Sequence, residues 1–150
     1  MWNTFVFVYN RDMKIFVSGQ IEDVEYIRTV QDAFKKAGHA ITHDWTHNET
    51  GDKMLGGQRA KFDNPEEARR RATNDLQGVI DSDVYVICTS NDRPGKGMYV
   101  ELGGALALAA TINSPRVYLL GDKKHASIFY FHPAVVWMDS VQDIIKDLEV

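Results

Sequence analysis

A single cysteine, Cys88, stands in 150 residues. One thiol forms no disulfide framework and no Cys-rich zinc centre, and it fits a reducing compartment. A basic excess is also missing: 17 Lys and Arg face 21 Asp and Glu, a formal net charge of −4. Nucleic-acid polymers are bound largely through neutralised phosphates, so a general nucleic-acid binder is disfavoured. No apolar run approaches the roughly 18 residues of a membrane span. The first residues carry neither a basic leader nor a small-residue cleavage site, which argues against a secretory signal. His39, His43, His47, His125 and His132 show no HxxxH-type ligand spacing, so no metal site is expected. No motif calls for a cofactor. The expectation is a soluble cytoplasmic protein with no membrane or nucleic-acid partner.

What is present is ordinary globular chemistry: 44% hydrophobic, 25% charged and 11% aromatic residues. A chain of this length is one domain and buries roughly two thirds of its unfolded surface. Lys14–Ser18 (KIFVS) predicts a strand ending at Gly19. Val24, Ile27, Val30, Phe34 and Ala37 recur at helical spacing before Gly38. Ala40–His43 predicts a short second strand, and the glycine-bearing, polar stretch Asp44–Asp63 predicts a long loop. Asn64-Pro65-Glu66-Glu67 has the residues of a helix start, with Asn as cap and Pro at the first helical position, and that helix runs to about Ile80. Val84–Cys88 (VYVIC) is continuously apolar, as a central parallel strand is. Met98–Ile112 predicts a buried helix; Arg116–Leu120 and Val135–Met138 predict two more strands. Ser140 and Asp143 open a terminal helix lined by Val141, Ile144, Ile145 and Leu148.

Strand and helix alternate, which predicts an α/β three-layer sandwich around a parallel sheet. Five strands joined by right-handed crossovers give the flavodoxin-like order 2-1-3-4-5 as the leading arrangement. Residues 1–12 fall outside this scheme and read as an appended N-terminal arm; residues 13–150 form the domain.

In open parallel sheets, ligands bind beyond the carboxyl ends of the strands where strand order reverses. That edge collects Ser18 and Gly19, then His43-Asp44-Trp45, and then the loop Thr89–Gly97 leading into Met98. Asp92, Gly95 and Gly97 belong to a glycine-rich loop that enters a helix N-terminus, a place receptive to anions. Trp45 at a strand end is placed to stack on a base or to pack in the core. Cys88, within an apolar strand, reads as inert, and Arg69-Arg70-Arg71 reads as a solvated helix face.

Two carboxylates stand out. Glu101 is the one charge between Met98 and Ile112, and at about 100° per residue it lies roughly 40° from Ala105, beside the buried stripe. If the helix begins at Met98, Glu101 sits in the first turn, where the dipole favours an ionised carboxylate fit for nucleophilic attack. Asp75 falls about 20° from Ala68, beside an apolar stripe of Ala68, Ala72, Leu76 and Val79. A first-turn glutamate favoured by the helix dipole would account for Glu101, and a structural hydrogen bond to neighbouring backbone would account for Asp75. Two carboxylates aimed at one pocket are also what glycosyl transfer requires.

At these residues the chain resembles a family, the nucleoside 2-deoxyribosyltransferases and the related nucleotide N-glycosidases. The resemblance runs from about Lys14 to the C-terminus. It rests on KIFVSG, NDLQGVIDSDVYVI and GKGMYVELGGALA. It implies a flavodoxin-like fold and Glu101 as the nucleophile of a covalent deoxyribosyl ester. Asp75 would contact sugar or base, and Asp92 is the candidate for a second family aspartate. It also implies a nucleoside or nucleotide substrate and an oligomer in which a neighbour completes each site. The aromatic run Phe129-Tyr130-Phe131-His132 is the candidate contact in a homodimer or larger assembly. Transfer to a base, hydrolysis of a nucleoside 5′-monophosphate, and binding without catalysis all remain open on the sequence. A flavin protein is a weaker alternative, because no isoalloxazine-stacking loop is evident.

Overall fold

The β-branched runs and the segments of helical period settle where their periods predict. A computed structural model describes residues 11–47, 58–89, 96–122 and 127–150. The arm, except for Arg11 and Asp12, lies outside the described residues, as do Asp92 and Gly95. The strands are β1 (Lys14–Ser18), β2 (Ala40–Ile41), β3 (Val84–Thr89), β4 (Arg116–Gly121) and β5 (Val135–Met138). The helices are α1 (Val24–Lys36), α2 (Gln58–Asp63), α3 (Pro65–Ile80), α4 (Lys96–Ile112) and α5 (Val141–Leu148). The sheet order is β2-β1-β3-β4-β5 with every neighbouring pair parallel, as the alternation predicts.

Side-chain alternation divides the core into two layers. Ile15 and Val17 of β1 face α1 and α5, packing with Ile27, Val30, Phe34 and Ile144. Phe16, between them, faces the other way and packs with Val79 of α3 and with Met98, Leu102, Ala105 and Leu106 of α4. Ser18 shares the parity of Phe16 and therefore points toward α3 and α4. Register sets Phe16 beside Tyr85 and Ser18 beside Ile87.

Several local expectations are corrected. β2 closes after Ile41 rather than His43, and the stretch read as one loop contains a 3-10 turn at Trp45–His47 and the helix α2. The Asn64 side chain makes no cap bond into α3; its Nδ2 donates to the Ala60 carbonyl of α2, 3.0 Å away. Arg71 is not on a solvated face but is partly buried, donating to Glu67 at 3.0 Å.

The α3 helix is also rotated from its expected face. Ala72 and Leu76 are exposed, Leu76 by 39%, while Gly78 and Val79 are buried and Arg71, Asn74 and Asp75 are partly buried. Gly78 explains the rotation. A Cβ there would come within 2.8 Å of His43 Cβ and of the Phe16 ring. Without it, α3 settles directly against Phe16 in the middle of β1 and His43 just past β2, and Thr42 Oγ1 donates to the Gly78 carbonyl at 2.8 Å. The polar edge of the helix is carried inward as a result.

Candidate functional site

Glu101 projects from α4 toward the carboxyl end of β1. The helix begins at Lys96, so Glu101 falls in its second turn, beyond the reach of the helix-end charge. Glu101 is only 9% exposed and shares its face with Met98, Leu102 and Ala105. Burial dominates: it pushes the carboxyl up to about 8, Ser18 pulls against it by hydrogen bonding, and the Asp75 charge adds to it. This corrects the expectation of a carboxylate held ionised by the dipole. Ser18 Oγ donates to Glu101 Oε2 at 2.5 Å, in a buried contact.

The second carboxylate comes from α3. Asp75 Oδ1 lies 3.2 Å from His43 Nε2, just past the end of β2. The pair is poorly aligned for a hydrogen bond. Both atoms are out of contact with water and have no hydrogen-bond partner among the described residues. Buried polar atoms without any partner cost on the order of 1–3 kcal/mol each, and here the two stand against each other at ion-pair distance. Burial raises the Asp75 carboxyl, and the nearby His43, Arg71 and Arg70 pull it back without cancelling the rise. Farther out, Arg70 and Arg71 hydrogen-bond Glu67 and bring its carboxyl down to about 2.

Trp45 opens the 3-10 turn that follows β2. Its indole N–H donates to the Val17 carbonyl at 2.8 Å, and its ring packs against both core layers. Asp44 holds the turn that carries it, accepting from Thr46 N at 3.1 Å and Thr46 Oγ1 at 2.6 Å. Burial works against the Asp44 charge, but the Thr46 hydrogen bonds outweigh it and its carboxyl stays below the ordinary range. Gly19 follows Ser18, and a Cβ there would come within 2.4 Å of Ile27 Cδ1, so a larger residue would require the Ile27 side chain to shift. Met98 is buried under the helix start, whereas Gly97 is exposed with open space about it. Cys88 is buried, and burial pushes its thiol up to about 12.

The structure therefore brings Ser18, Asp75 and Glu101 together near the carboxyl end of β1, where strand order reverses between β1 and β3. The sequence sets His43 at this edge but does not pair it with Asp75, which the approach of α3 does. Tyr85, inside an apolar strand, carries no sequence signal. Among the described residues no three His, Cys, Asp or Glu side chains are placed to share a metal ion.

The fold is the flavodoxin-like α/β fold in which crossover helices cover both faces of a five-stranded parallel sheet. Two solved structures share it. The CMP N-glycosidase BcmB from Clostridium botulinum is 11% identical, with a TM-score of 0.52 over 91% of this chain and 98% of that one. A 2-deoxyribosyltransferase from Bacillus psychrosaccharolyticus is 15% identical, with a TM-score of 0.60 over 88% of this chain and 90% of the other. No family model and no curated protein matches the chain in sequence.

Proposed function

We propose that this protein cleaves the N-glycosidic bond of a nucleoside or deoxynucleoside and passes the sugar to another base or to water. The observation that carries the proposal is a pair of carboxyl groups, the buried Glu101 and the partly buried Asp75, within electrostatic reach of each other at the strand-order switch. Glycosyl transfer proceeds through an oxocarbenium-like state, which an adjacent carboxylate stabilises and traps. In the first half, a Glu101 oxygen bonds to the anomeric carbon as the carbon–nitrogen bond breaks. The bonding pair leaves with the base, which takes up a proton. In the second half, a base nitrogen or a water oxygen attacks the same carbon, loses its proton, and releases the Glu101 carboxylate. Asp75, steadied by His43, holds a sugar hydroxyl or the base edge. Ser18, Gly19, Trp45, Gly97 and Met98 are the residues we assign to substrate binding, together with Asp92 and Gly95, which lie outside the described residues. Self-association through the Phe129–His132 segment and a cytoplasmic location complete the reading.

A second reading follows from the neighbour that acts on CMP: hydrolysis of a nucleoside 5′-monophosphate. A third, binding without turnover, is favoured by Glu101 itself, since a carboxyl raised to about 8 is mostly protonated at neutral pH. One assay separates them. The chain is incubated with deoxynucleosides, ribonucleosides and their 5′-monophosphates, with and without acceptor base, and the products are resolved by chromatography. Glu101→Gln should lower turnover by about three orders of magnitude or more, and Asp75→Asn by a smaller factor. Near-normal cleavage by Glu101→Gln would sink the mechanism.

A further inference from the structure

Ser18 is the last residue of β1 and has no exposed surface. Its parity turns the side chain toward the layer that Phe16, Leu102 and Ala105 fill with carbon. A hydroxyl in such surroundings costs free energy unless it is bonded, and alanine would pack there without that cost. The bond that offsets it is the one to Glu101 Oε2, at 2.5 Å and buried. The two partners differ in stiffness. Glu101 reaches in from α4 on a side chain with several rotatable bonds. Ser18 turns about a single bond, from a backbone paired with β3 beside Ile87. The contact therefore ties a flexible acceptor to a stiff donor across 83 positions of the chain.

We propose that Ser18 is a positioning residue for Glu101: its hydroxyl holds one carboxylate oxygen, fixes the plane of the carboxyl and leaves the other oxygen for the substrate. The carboxyl cannot turn about its last bond without giving up this contact. The Ser18 proton is thereby committed, and what its oxygen keeps for a substrate is a lone pair. A hydroxyl donating to a carboxylate also favours the charged form, the form that attacks an anomeric carbon. The other groups acting on Glu101 do not. Asp75 on α3 repels its charge, while His43 after β2 and Arg70 and Arg71 on α3 act on Asp75. Tyr85 of β3 is within electrostatic reach but fully buried, and burial holds its phenol well above the ordinary range, so it stays neutral. The catalytic consequence rests on Glu101 being the nucleophile; the fixing of its carboxyl does not.

The test has two readouts on the full chain. The first is an NMR titration with 13C at glutamate carboxyls, Glu101→Gln serving to assign the Glu101 signal. Ser18→Ala should raise the Glu101 midpoint by about one pH unit. Ser18→Cys, close in size but a weaker donor, should raise it by less. Circular dichroism should be unchanged in both, and if the alanine variant does not fold, the cysteine variant carries the same comparison. The second readout is the alkaline limit of kcat on a deoxynucleoside that the wild type cleaves. There Glu101 is ionised in every variant, so a remaining deficit is one of orientation. Ser18→Ala should lower that limit by about tenfold to a hundredfold, with KM within about twofold of wild type, and Ser18→Cys should fall between. An unmoved midpoint overturns the proposal, as does a wild-type limiting kcat in Ser18→Ala. A raised KM at unchanged kcat also overturns it, making Ser18 a substrate contact only. A moved midpoint in a chain that cleaves no nucleoside supports the hold on Glu101 and overturns the proposed reaction instead.

Discussion

The two faces of the sheet are built from the same strands yet do different things. The face under α1 and α5 is packed by Ile15, Val17, Ile27, Val30, Phe34, Val84, Val86 and Ile144, and among the described residues no carboxylate is buried there. The face under α3 and α4 buries a similar apolar set, but toward the strand tips it admits Ser18, the Tyr85 hydroxyl, Glu101 and the His43–Asp75 pair. The first face is not wholly quiet, since Gln31 Nε2 of α1 is buried with no hydrogen-bond partner among the described residues, but the buried carboxyl lies on the second. Strongly perturbed carboxyls at a strand-order switch are candidates for function.

That contrast can be broken in graded ways. The largest effect should come from the quiet face. Phe34→Ala should lose about 3–5 kcal/mol of unfolding free energy in a denaturant titration, with kcat per folded molecule unchanged. A smaller effect of opposite sign should come from Glu101→Gln. The native Glu101 carboxyl lies at about 8 against an ordinary 4.5. Between those values the folded chain holds a proton that the unfolded chain has released. Wild-type stability should therefore fall as pH rises through this window, while Glu101→Gln escapes that loss. By pH 8 the variant should be more stable by on the order of a few kcal/mol, and the two should converge near pH 4. Equal stability of the two chains at pH 8 would show that Glu101 is solvated. The smallest effect concerns the outer surface of the busy face. Ile128, Phe129 and Phe131 are exposed there, Phe131 by 69%, around a buried Tyr130. Light scattering at micromolar concentration should report a multiple of 17.0 kDa, reduced by Phe131→Ser; a plain monomer removes the assembly.

Much of this was legible in the residues. Continuous apolar runs and helical spacing predict all five strands, their order and the four longer helices, because those signals are local and repeated. Glu101 was legible because a charge inside an apolar helix is conspicuous. The face of α3 was not. Its apolar residues Ala72 and Leu76 suggest one side, yet the contact is set by the missing Cβ of Gly78 against His43 and Phe16, a fit between three elements. The pairing of His43 with Asp75 spans 32 positions by residue number and that of Ser18 with Glu101 spans 83. No spacing rule within one segment encodes either.

Trp45 has a consequence of another kind. Parallel pairing gives β1 hydrogen bonds from Ala40 to the Met13 carbonyl and from Thr42 to the Ile15 carbonyl, at 2.9 and 3.0 Å. The next carbonyl in that series, Val17, is taken by an indole and not by a strand. An unpaired sheet edge is a template on which other chains can polymerise, and natural proteins block such edges with bulky or charged groups. Here the blocking group is also a packing residue of both core layers. Replacing Trp45 by a smaller residue would unmask a rung of backbone as well as loosen the core, so packing and resistance to aggregation meet at one side chain.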